Sequence, residues 1–211
     1  MAIPISIERN IAQPGLQQAN FVKYLTDAEL PISTSKTIAY QSLYHVLETS
    51  TAPGPGITSA NFFTGPYVAT NTNFPGNTFV LPQSQHFLVT AIQGGNYSGD
   101  IGTSASFYKG FVVERQEAAV GITNAGLVGA TYTFTVNGIV QQKDIPLTEF
   151  DNTLITAQRG RFELSQPILI PAQSDLQLRV TSVTGLPITA YPIDGETAQG
   201  IWFELIGIAL I

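Results

Sequence analysis

The segment "ATYTFTVNGIVQQKDI", residues 130–145, constrains the fold most. Tyr132, Phe134 and Val136 alternate with threonines, the period-2 pattern of a half-buried strand, and run directly into Asn137-Gly138. Asn-Gly between two such runs is the strongest short-range signal for a two-residue hairpin, because a type I′ turn needs positive φ at both central positions. A helix cannot accommodate that alternation, so the chain contains at least one antiparallel strand pair.

The same reading extends in both directions. In "RGRFELSQPILIPAQSDLQLRVTSVTG", residues 159–185, Pro167 and Pro171 bracket Ile168, Leu169 and Ile170. Proline cannot donate a ladder hydrogen bond, so this bracket belongs at a sheet edge or corner. Phe162 and Leu164 before it, and Leu176, Leu178 and Val180 after it, alternate with polar residues. The expectation is a strand, a proline-defined corner and a second strand. Further strands are expected at 86–93, 105–115, 187–191 and 200–211. About eight short strands without intervening helices indicate an all-β, antiparallel β-sandwich or barrel. A jelly roll fits the strand count. An immunoglobulin-like sandwich suits less well, since the body is long for that fold and its Cys…Trp…Cys pattern is missing.

Residues 1–58 read differently. "MAIPISIERNIAQPGLQQ" has no sustained period and is expected to be an extended arm. In "NFVKYLTDAEL" Phe21, Leu25 and Ala28 share a helical face, which predicts a short helix ending before Pro31. Tyr40, Tyr44 and Leu47 in "STSKTIAYQSLYHVLETS" also have helical spacing, and a second helix is expected there. "TAPGPGIT" then reads as a stiff linker. The expected organisation is therefore an arm with short helices over 1–58 and a β domain over 59–211.

Charge narrows the function classes. Only 11% of the residues are charged, against about 25% in an average soluble domain. Such a surface packs against neighbours with few ions to desolvate. A net charge of −6 with nine scattered basic residues argues against direct nucleic-acid binding, which needs clustered Lys and Arg. Cysteine is absent, which excludes disulfides and thiolate metal sites. No signal-peptide pattern opens the sequence, and no apolar run reaches the ~18 residues of a membrane span.

Catalytic and metal constellations are thin. The two histidines, His45 and His86, are far apart in sequence, whereas a metal-binding cupin gathers several with a carboxylate. Glu114 with Glu117, Asp144 with Glu149, and Asp194 with Glu196 read as solvated turns and strand edges. No enzyme activity, cofactor or metal is expected. The aromatic residues Phe62, Phe63, Tyr67, Phe74 and Phe79 fall in a Gly/Pro/Asn/Thr-rich stretch, as in a long loop whose rings dock on the body or on a neighbour.

An arm, a small helical segment and a β body carrying "FELSQPILIPAQSDLQLRV" and "GIWFELIGIALI" resemble the single jelly-roll virion proteins of phages and other icosahedral viruses, over roughly residues 60–211. That resemblance implies a structural protein, made in the host cytoplasm and residing in the virion. It would assemble as a homo-oligomer, a trimer or a higher shell, with other virion proteins as partners. The expected interface comprises Phe62, Phe63, Tyr67 and Phe74 from the loop, with Trp202, Ile206 and Ile208 from the second face of the apolar terminal segment. The rival expectation is a carbohydrate-binding β-sandwich module in which loop aromatics stack on sugars.

Overall fold

The computed structural model describes residues 23, 26–27, 37–49, 57–76, 78–98, 106–107, 129–150, 160–186 and 199–210. In chain order the strands are β1 (Ile38–Thr49), β2 (Ile57–Phe62), β3 (His86–Ser98), the two-residue β4 (Ser106–Phe107), β5 (Ala130–Val136), β6 (Ile139–Pro146), β7 (Arg161–Ile170), β8 (Leu176–Leu186) and β9 (Gln199–Leu210), with a 3₁₀ turn at Leu147–Phe150. All described pairings are antiparallel. One sheet runs β1-β9-β3, with β7 along the first part of β3 and β4 along its end; the other runs β2-β8-β5-β6.

The two sheets share one core, so the architecture is a sandwich. Leu43, Phe87, Ile170, Phe203 and Leu205 face it from the first sheet, and Phe62, Tyr132, Phe134, Leu178 and Val180 from the second. The alternation read in residues 130–136 is realised directly: every second residue of β5 is buried, and Asn137 and Gly138 have φ of 50° and 71°. β6, which among the described strands pairs only with β5, is largely exposed. Its ladder is interrupted by register shifts, Asp144 has φ of 52°, and Lys143 and Pro146 lie on it. These are devices that discourage edge-to-edge pairing.

The proline bracket also falls as expected. β7 is an edge strand whose pairing with β3 shifts between Val89 and Ala91, and Pro167 lies in the stretch that the shift leaves outside the ladder. Pro171 ends the strand at the corner leading to β8. β9 is internal to its sheet, flanked by β1 and β3, and carries buried side chains on both faces, Ile201, Phe203 and Leu205 on one and Trp202 and Ile208 on the other. Gly207 sits beside the same irregularity in β3, and a Cβ there would collide with the Leu88 carbonyl oxygen. Only glycine lets the two backbones approach this closely.

The segment expected to form a second helix is strand β1 instead. It pairs with β9 along its whole length, from Ile38 opposite Leu210 to Thr49 opposite Gln199. Leu43 and His45 are buried on one face and Val46 on the other, so burial masks the period of two and chance helical spacing is left visible. The linker expected over 51–58 gives way to β2 at Ile57, and the boundary expected at 58/59 falls inside that strand. Lys23, Thr26 and Asp27 are helical, as expected for the first helix. The arm, the strand expected at 187–191 and nearly all of that at 105–115 lie outside the described residues.

Candidate assembly interface

The loop aromatics dock on their own chain. β2 ends at Phe62, and Phe63 turns the chain with φ of 59°. The loop then runs back along the open edge of β1. Val46 N–H donates to the Asn71 carbonyl (2.8 Å), Thr72 Oγ1 to the Tyr44 carbonyl (2.6 Å), Tyr44 N–H to Asn73 Oδ1 (2.7 Å) and Asn73 Nδ2 to the Ser42 carbonyl (2.8 Å). This edging carries Phe63, Phe74 and Phe79 into the core around His45, whose ring lies 4.7 Å from that of Phe79. Phe62, Phe63 and Phe74 are at most 2% exposed, and they present no surface to a neighbour or to a sugar. Tyr67 is half-buried and its hydroxyl donates to the Phe74 carbonyl (3.1 Å).

His45 is itself 4% exposed, and its Nδ1 accepts the Phe63 N–H at 2.7 Å. Burial lowers its pKa from 6.5 to about 4, so the ring is neutral near pH 7. His86, at the start of β3, is similarly buried and accepts the Ala172 N–H on Nδ1 at 3.1 Å.

Trp202, Ile206 and Ile208 occupy the face of β9 away from the core. Trp202 packs with Val46 and Tyr44. Ile208 packs with Leu88 and Leu210, with Ile38 and Leu169 beside them. Both clusters are buried, whereas Ile206 and Glu204 between them are half-buried. Thr90 Oγ1 donates to the Ile206 carbonyl at 3.2 Å. The outer face of the first sheet is thus apolar and covered at two places.

An exposed apolar pair lies elsewhere. Ile139 and Val140, just past the Asn137-Gly138 turn, are 65% and 50% exposed; Tyr40, Val68 and Val80 are the other large ones among the described residues. Sequence reasoning missed Ile139 and Val140, although two adjacent apolar residues opening a strand that continues Gln-Gln-Lys-Asp cannot both face one core.

Among the described residues no three His, Asp or Glu side chains gather into a metal-binding group. Opposite β9, His45 is in register with Phe203 and His86 with Leu210. Seven residues of strand separate those positions, roughly 24 Å, too far to share an ion. Asp144 and Glu149 are exposed, with the Asp144 N–H donating to Thr133 Oγ1 at 3.3 Å. Arg161 pairs with Glu163 (2.6 Å) on a part-exposed edge, where such a contact contributes little. The pairs Glu114–Glu117 and Asp194–Glu196 lie outside the described residues. No described helix is long and apolar enough to cross a membrane. No protein-family model matches this sequence, and a search of curated proteins found none similar to it.

Proposed function

We propose that the sandwich is a jelly roll and that the protein is a virion structural protein, assembling through subunit contacts into a capsid shell or decorating one. The observation that carries this reading is the nesting of the strand pairs. β1 pairs with β9, β2 with β8, β3 with β7 and β5 with β6, with the β9–β3 and β8–β5 contacts closing one sheet each. That is one long hairpin rolled up so that its successive strand pairs alternate between sheets, the arrangement of jelly rolls in capsid, lectin and cupin domains.

Chemistry has to choose among those uses, because a fold does not specify a function. A cupin needs clustered metal ligands, and the two histidines lie far apart with Nδ1 of each already accepting a backbone N–H. A lectin stacking sugars needs exposed rings, and Phe62, Phe63, Phe74 and Phe79 are core residues. An assembly protein needs surface that is cheap to desolvate. The 11% charge content supplies that, together with the exposed Ile139 and Val140 at the start of β6. Light scattering coupled to size exclusion, followed by electron microscopy of the eluted species, tests the proposal. Trimers or shell-like particles are expected; a strict monomer at high concentration that binds glycans would replace this reading with the carbohydrate-binding one.

A further inference from the structure

The chain has two histidines, and both perform the same structural task. His45 stands on β1 in the first sheet and holds the Phe63 N–H, where the chain leaves β2 of the second sheet. His86 stands on β3 in the first sheet and holds the Ala172 N–H, in the corner that carries the chain from β7 to β8 in the second. Each anchored amide adjoins or belongs to a non-glycine residue in the left-handed region: Phe63 itself at φ 59°, and Gln173, next to Ala172, at φ 60°. Such a conformation is costly and persists only when surrounding contacts hold it.

We propose that His45 and His86 form a pair of acid-operated latches: neutral, they hold two of the crossovers between the sheets, and protonation releases both. The chemistry follows from the ring. An imidazole Nδ1 that accepts a backbone N–H carries no proton, and protonation converts it into a donor pointing at another donor. No alternative acceptor role survives in the imidazolium, so the contact must break or the ring must turn.

Among the described residues, the surroundings of His45 offer its cation no compensation. The rings packed on it are Phe62, Phe63 and Phe79, and its register partner on β9 is Phe203. Burial accordingly holds its pKa near 4, so the latch stays shut through neutral and mildly acid conditions. The neighbouring titratable groups Tyr44 on β1 and Glu204 on β9 are in register with each other on the opposite face, and Tyr67 lies in the loop against Phe79. Near His86 the register partner is Leu210, and the corner contributes Asp175, exposed, its N–H donating to Asn137 Oδ1.

Release would be local first. The loop edging β1 begins at Phe63, and the corner at Ala172–Ser174 also holds the chain entering β3, through Gln173 N–H to the Leu81 carbonyl (3.0 Å) and Leu81 N–H to the Ser174 carbonyl (3.1 Å). Opening both would expose the Phe63–Phe74–Phe79 ring cluster at one site and the entry to β3 at the other.

The test follows amide exchange in the full chain by NMR between pH 7 and pH 4, corrected for intrinsic rates. Protection at Phe63 and Ala172 is expected to fall at least tenfold while that of Val89 in β3 changes less than twofold. A His45→Asn, His86→Asn double variant keeps an acceptor oxygen close to each Nδ1 position but cannot be protonated, and its protection at both amides is expected to be independent of pH. Parallel profiles for the two proteins, or undiminished protection in the wild type at pH 4, overturn the proposal. Should the variant not fold, ¹⁵N spectra of the wild-type imidazoles decide. Both rings as the Nε2-H tautomer at pH 7, losing it together with the loop protection, support the latches; a ring that titrates while its amide stays protected overturns them.

Discussion

Phe62 at the end of β2 meets Phe203 of β9 edge-on, with ring centroids 4.8 Å apart and planes at 72°. The two rings come from opposite sheets, and Phe203 also takes the edge of Phe150 at 5.7 Å and 90°. Edge-to-face aromatic packing adds about 0.5–1.5 kcal/mol to the burial of the rings themselves. Phe203→Ala should therefore destabilise the protein by about 3–5 kcal/mol, and Phe203→Leu by clearly less, as measured by chemical denaturation. Equal effects from both substitutions would mean that leucine recovers none of the burial and that the site accepts only the ring.

Gly207 gives a prediction of a different kind. A Cβ there meets the backbone of Leu88, and a carbonyl in a ladder cannot step aside as a flexible side chain can. Gly207→Ala is expected to cost at least about 2–3 kcal/mol despite adding one methyl group. Gly94 provides the contrast. Its Cβ would first meet the Phe203 ring, at 2.8 Å, a side chain rather than backbone, so Gly94→Ala should cost less.

At the hairpin turn the cost is conformational rather than steric. Nothing lies within 4 Å of a Cβ built on Gly138, yet its φ is 71°. Gly138→Val should lower stability by roughly 1–3 kcal/mol through backbone strain alone, whereas Gly138→Asn, which tolerates the left-handed region, should be close to neutral. Melting temperatures of the two variants separate strain from loss of space.

Tyr132 makes alkaline stability readable. Burial, reinforced by the negative charge of Glu149, raises its phenol well above the usual 10, and its hydroxyl donates to Gln142 Oε1 at 2.5 Å. The folded protein then keeps a proton that the unfolded chain releases. The contribution is fully present below pH 10 and is lost as pH rises beyond it. Tyr132→Phe should cost about 1 kcal/mol at pH 7 for the lost hydrogen bond, and its stability should decline less steeply above pH 10. Identical alkaline slopes for the two proteins would exclude Tyr132 as the responsible group.

Legibility in the sequence followed the number of wet faces. β5 has one buried face, and Tyr132, Phe134 and Val136 announced it; the Asn137-Gly138 turn then set the register of its partner. β9 has two buried faces, and its unbroken apolar run was legible for that reason. β1 has buried residues on both faces but mixes in Tyr40, Gln41 and Ser42, so Tyr40, Tyr44 and Leu47 could imitate a helical stripe. The loop aromatics could not be assigned from composition, because their partner is His45, and the bond that fixes Phe63 spans 18 residues of chain between two sheets. Ile139 and Val140 belong to the strand expected there, but their exposure was not legible, because nothing in the sequence marks β6 as an edge with both residues facing out.

The terminal strand supplies the strictest test. β9 is paired with β1 on one side, from Gln199 to Leu210, and with β3 on the other over the same residues. Removing residues 201–211 unpairs both neighbours and takes Ile201, Phe203, Leu205 and Ala209 out of the shared core. It also leaves Val46 and Leu88 without Trp202, Ile208 and Leu210 on the outer face. No other described strand can fill a gap between β1 and β3, so the truncated chain is expected to be insoluble or to melt without cooperativity. Trp202→Ser removes one buried side chain that is 6% exposed, and should keep the fold at a cost of about 3–5 kcal/mol. A soluble truncated protein with a sharp thermal transition would show that β1 and β3 do not depend on the strand between them, and the nested pairing on which the jelly-roll reading rests would fall with it.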